Sequence, residues 1–126
     1  MAFKLKCSLA NTTASVEYFN GKKGQAYIYG EALSLSGGAL TKCAATTKPE
    51  YICLSDKVCT DDSILVPVMR VMDFYLFECP VTGDVSAITA GEKVTIDTNG
   101  AGVTSTTTNG VAEIITIDGN TATVKF

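Results

Sequence analysis

Apolar and polar residues alternate along most of the chain in short runs, broken by glycine and asparagine. In Ala90–Gly100, AGEKVTIDTNG, Val94 and Ile96 fall on one side of an extended strand. Lys93, Thr95 and Asp97 fall on the other, and Asn99-Gly100 then turns the chain. The same grammar recurs elsewhere. SVEYF, the turn NGKKG and QAYIYG predict a first hairpin. Ala39–Cys43 reads as a short strand after SGGAL, and YICLS as a buried one. AEIITI and TATVKF flank Asp118-Gly119-Asn120 as a closing hairpin, with Ala122, Val124 and Phe126 turned inward. No window carries helical periodicity with caps; Ser55–Val71 is the one stretch with room for a short helix. Frequent short strands with Gly and Asn turns predict an all-β fold, a small single-domain β-barrel or β-sandwich of short antiparallel strands.

Two stretches depart from simple alternation. ILVPVMRV and FYLFECP are near-continuous apolar runs on either side of Asp73. Apolar residues on both faces suit either a central core strand or a subunit interface, where aromatic and Met side chains are enriched. Arg70, Met72, Asp73, Phe74, Tyr75, Leu76 and Phe77 are therefore the candidate oligomer surface, with Arg70 free to pair with Asp73 or Glu78. The second stretch is the start of the chain. Phe3, Leu5 and Leu9 alternate with Lys4, Lys6 and Ser8, which gives an extended segment one apolar edge. Residues 1–14 show no turn that ties them to the first hairpin. They are read as an extended N-terminal arm outside a single β domain spanning residues 15–126, with a first strand of the barrel as the other reading.

Composition narrows the function. The 126 residues are 46% hydrophobic and 18% charged, a globular balance, and the net charge is −3. An acidic chain is a poor match for nucleic acid. Ile64–Cys79, the most apolar stretch, is interrupted by Pro67, Arg70, Asp73 and Glu78, so no membrane span is expected. Lys4 and Lys6 break the only apolar start that resembles a signal peptide, which predicts a soluble protein made in a cytoplasm.

Chemistry is sparse. With no histidine, the Ser-His-Asp and Cys-His arrangements are excluded. Cys7, Cys43, Cys53, Cys59 and Cys79 are an odd set without CxxC spacing, which predicts free, packed thiols, no disulfide and no metal. Asp61-Asp62 is the only adjacent carboxylate pair and reads as a solvated loop; Asp56, Asp61 and Asp62 do not have EF-hand spacing. NGKKG lacks the strand-to-helix context of a phosphate loop. VMRVM places Arg70 where a biotin-carrier sequence needs lysine. Asn11-Thr12-Thr13 is formally a glycosylation acceptor. No catalytic residue and no cofactor are expected.

From about Tyr29 onward the order of turns and strands resembles the head decoration (capsid cement) proteins of tailed bacteriophages. The resemblance is carried by YGEALSLSGGALTKCAATTKPEYICLSD, VPVMRV, GEKVTIDTNGAGVT and the closing NGVAEIITIDGNTATVKF. It implies a small β-barrel-like virion protein, a homo-oligomer and usually a trimer, that binds the outside of an assembled head. The implied partner is the major capsid protein, whose subunits it would bridge to stabilise the capsid. The implied location is the outer capsid surface, after synthesis in the host bacterial cytoplasm. A tail- or fibre-associated virion β-protein and a carbohydrate-binding module are the alternatives. The absence of Trp counts against the module.

Overall fold

The computed structural model describes residues 2–10, 14–43 and 45–126. The Asn11-Thr12-Thr13 triplet and Met1 lie outside the described residues. The strands are β1 (Lys4–Ser8), β2 (Val16–Asn20), β3 (Ala26–Tyr27), β4 (Ala32–Ser36), β5 (Ala39–Lys42), β6 (Tyr51–Cys53) and β7 (Lys57–Val58). They continue with β8 (Leu65–Arg70), β9 (Tyr75–Thr82), β10 (Lys93–Val94), β11 (Val103–Thr104), β12 (Ala112–Asp118) and β13 (Thr121–Lys125). A 3-10 turn at Val85–Ala87 is the only helical element among the described residues. The chain is all-β, and β7 and β8 occupy the stretch in which a helix had room to form.

Two sheets and a ribbon make up the fold. The first sheet runs β1-β9-β13-β12-β10, with β11 added in parallel beside β9. The second runs β2-β8-β6-β4-β5, and β3 and β7 pair as a small ribbon. All ladders other than β11–β9 are antiparallel. The closing hairpin forms as its alternation predicts, with Asp118 opposite Thr121 and Ile114 opposite Val124. So does the hairpin around Asn99-Gly100, where Ile96 bridges to Val103. The Asp97 carboxylate holds that turn by accepting the Asn99 and Ala101 amides, both at 3.0 Å.

The expected first hairpin does not form: β2 pairs with β8, and β3 pairs with β7. The reason is Tyr27. Its ring is buried inside the curl of the second sheet, which brings β2 close to β5. Its hydroxyl accepts from the Lys22 amide at 2.8 Å and donates to the Leu40 carbonyl at 2.7 Å. Gly21 is required at the approach: a Cβ there would lie 2.3 Å from Cys59 Sγ and 2.8 Å from the Tyr27 ring. The chain leaving β2 therefore crosses the ribbon instead of folding back on itself.

The second sheet is buried on both faces for part of its width. Inside the curl lie Leu33, Leu40, Tyr51, Cys53, Val66 and Val68, closed over by Tyr27 and Cys59. On the opposite face Ala32, Ile52 and Met69 join the core of the first sheet. This accounts for the continuous apolar reading of β8, where Val66 and Val68 point one way and Met69 the other.

The N-terminal segment corrects the arm reading. β1 is an edge strand of the first sheet, with Lys4 opposite Glu78 and Leu5 opposite Phe77. Phe3 is 1% exposed, with its ring centroid 5.3 Å from that of Phe126. Phe126 in turn lies 5.7 Å from Phe77. Leu5 packs against the same core, and only Leu9 remains exposed. Burial of Phe3 and Leu5 and the hydrogen bonds of the β1–β9 ladder together offset the ordering cost of the tail, so the segment folds as the first strand.

Two substitutions probe these joints. Phe3→Ala removes the ring from a filled core and lowers unfolding free energy by about 3–5 kcal/mol in urea denaturation. Tyr27→Phe keeps the ring but leaves the Leu40 carbonyl and Lys22 amide without their shared partner, costing about 1–3 kcal/mol by the same measurement.

Candidate contact surfaces

Of the seven residues expected at an oligomer surface, two are buried in the core of the chain itself. Along β9 the side chains alternate, and Tyr75 and Phe77 point into the core at 6% and 0% exposure. Met72 and Phe74 are half-buried against that core. This corrects the interface reading for Tyr75 and Phe77, whose side of the strand fills an interior. Leu76 is half-buried on the outer face beside Cys7, and Asp73 is exposed. Arg70 pairs with neither Asp73 nor Glu78. It makes a forked contact with Glu17 at 3.0 and 2.9 Å, and its guanidinium lies 5.1 Å from the Tyr51 ring centroid. The Glu17 contact raises the Arg70 pKa, so the guanidinium stays charged.

A different apolar surface emerges from the register of β2 on β8. Val16 stands opposite Met69, Tyr18 opposite Pro67, and Asn20 opposite Leu65. These residues share one face of the second sheet. Met69 is covered by the first sheet, whereas Val16, Tyr18 and Leu65 are 52%, 61% and 52% exposed. The first sheet thus stops partway across an apolar face. What it leaves uncovered is a strip of Val16, Tyr18 and Leu65 with half-buried Pro67 between them. The alternation of SVEYF contains Val16 and Tyr18, but Phe19 and Glu17 on the other side made the inward face ambiguous.

The polar chemistry is structural. Asp61 Oδ1 accepts from the Ser63 amide and hydroxyl, which holds its carboxyl below the usual range. Asp62 Oδ1 accepts the Lys23 amide at 2.8 Å, so the loop after β7 is tied to the NGKKG tip. Buried Glu31 pairs with Lys42 at 2.5 Å, and the same Nζ donates to the Ala26 carbonyl at 3.1 Å. The bond to Ala26 fastens β5 to the start of the ribbon. Among the described residues no group of three or more Cys, Asp or Glu converges as a metal site. Among them, too, no helix is long and apolar enough to cross a membrane.

All five cysteines are free; Cys7 is exposed, Cys43 half-buried, and Cys53, Cys59 and Cys79 buried. Burial raises the pKa of Cys43, Cys53 and Cys59, and pushes Cys79 up to about 12. A thiol held protonated in the folded state stabilises it below the unfolded pKa. That stability is lost as pH rises from near 9 toward 12. The chemical midpoint therefore falls on the alkaline side of pH 9. Native protein treated with iodoacetamide at neutral pH is modified rapidly at Cys7 and slowly at the other four.

Comparison with protein-family models, with curated proteins and with solved structures finds no match for this chain.

Proposed function

We propose that the chain is a bacteriophage capsid decoration subunit: a homotrimer that binds the outer surface of an assembled head and stabilises it by bridging major capsid subunits. The observation that carries the reading is the uncovered strip of Val16, Tyr18 and Leu65 on a sheet buried on both faces for part of its width. Exposed apolar side chains gathered on one face mark a contact surface in preference to a solvated one. The order of Gly-centred turns supports assigning that contact to a phage head.

The energetics fit a multivalent block. Burying each of the three side chains contributes about 1.5–3 kcal/mol. Immobilising one subunit costs on the order of 4–15 kcal/mol, so a single strip binds weakly. Three strips on one trimer bind with a high effective concentration after the first engages. The rigid double core contributes because little ordering is needed on docking.

The test uses heads of the phage that encodes the chain, stripped of it and mixed with purified protein. Wild type co-sediments with heads and raises the temperature at which they release DNA. Tyr18→Asp and Leu65→Asp leave the fold intact, since both sites are more than half exposed, and abolish co-sedimentation. Light scattering of wild type gives about three times the 13.2 kDa chain mass. Retained binding by both variants contradicts the strip, and a monomer mass contradicts the trimer.

A further inference from the structure

A second surface lies at the seam between the first sheet and the ribbon. A cleft of about 440 Å³ opens there, within the size range of ligand sites. Ile28, Tyr29 and Pro80 form its apolar wall, and Asp56, Glu78 and Lys4 stand around it. Ile28 and Tyr29 are 59% and 51% exposed, so the wall is open to a partner.

The wall is held in place from behind. The Glu31 amide donates to the Ile28 carbonyl at 3.1 Å, which closes a tight turn with Tyr29 and Gly30 at its centre. Gly30 has φ +83, and a Cβ on it would fall 2.4 Å from Ala2 Cβ and 2.8 Å from the Phe3 carbonyl. Its amide donates to the Cys53 carbonyl at 2.7 Å, and its carbonyl accepts from Phe3 at 3.0 Å. Asp56 Oδ1 accepts the Tyr29 amide at 2.8 Å. Tyr29 is thus an exposed aromatic residue on a backbone fixed to both the first core and the ribbon.

The charges point to one kind of occupant. Lys4 stands opposite Glu78 in the β1–β9 ladder. Among the described residues the ion pairs are Glu31–Lys42 and Glu17–Arg70, so Lys4 closes no salt bridge with Glu78 or Asp56, and the cleft carries two carboxylates against one lysine. An aromatic ring, an aliphatic wall and a net negative charge complement a long side chain that ends in a planar cation.

We propose that this cleft receives an arginine side chain from a docked protein partner, with its stem along Ile28 and Pro80 and its guanidinium at Glu78, Asp56 and the Tyr29 ring. Arginine fits better than lysine because its planar fork can serve two separated carboxylates while stacking on the ring. The identity of that partner as a capsid segment rests on the decoration reading; the recognition of arginine by the cleft does not.

The experiment is an NMR titration of the full chain with Nα-acetyl-arginine methylamide, with no heads present. The expected result is saturable amide shifts centred on Tyr29, Asp56 and Glu78 that weaken with added salt. Glu78→Gln, at an exposed position, weakens binding roughly threefold. Tyr29→Leu weakens it as well while keeping an apolar side chain on the turn. The uncharged Nα-acetyl-norleucine methylamide gives no comparable shifts. The proposal is overturned by arginine shifts that are absent or lie elsewhere, by equal binding of norleucine, or by a neutral disaccharide that occupies the same residues when arginine does not. Because heads are absent, failure here leaves the Tyr18 and Leu65 co-sedimentation result standing. Arginine binding without head binding would retain the cleft and remove the capsid reading.

Discussion

The fold depends on one buried side chain. Tyr27 closes the curl of the second sheet, and its hydroxyl joins the Lys22 amide to the Leu40 carbonyl across the opening. Burial raises the pKa of the phenol, so it remains a neutral donor and acceptor at physiological pH. Lys42 lies 5.9 Å from the ring centroid and is itself anchored by Glu31 and the Ala26 carbonyl. Ring, hydroxyl and ion pair together fix β3 and β7 against the sheet. Without that closure, Leu33, Leu40, Val66 and Val68 would face water.

Closure also explains the uncovered strip. A curled sheet with its own core inside still has an outer face, and the first sheet covers only part of it. Ala32, Ile52 and Met69 receive cover, and Val16, Tyr18 and Leu65 do not. The aromatic chain Phe3–Phe126–Phe77 fixes the first sheet at the covered end. The exposed strip is the part of that outer face that the first sheet leaves uncovered.

Much of this architecture was legible in the sequence, and the limits have physical causes. Period-two alternation identified β12, β13 and the Asn99-Gly100 hairpin because their partners are adjacent in the chain. It marked Val16–Asn20 and Ala26–Tyr27 as strands but paired them wrongly, since alternation specifies faces and leaves the neighbouring strand open. Tyr75, Phe77, Cys79 and Val81 alternate inward, yet apolar Phe74 and Leu76 between them concealed that pattern and suggested an interface. Phe3 and Leu5 carried the correct apolar edge, but their cover comes from β9, far along the chain. The strip and the cleft were invisible for the same reason: each is made by residues that only tertiary pairing brings together.

The central claim is that the chain works as a rigid adhesive block that docks through the uncovered face of its second sheet. The most direct measurement is a cryo-EM reconstruction of the encoding phage's heads saturated with the protein. The account predicts that Val16, Tyr18 and Leu65 are seated against major capsid protein. A reconstruction in which Tyr18 and Leu65 face solvent, or in which saturated heads carry no added density, contradicts it.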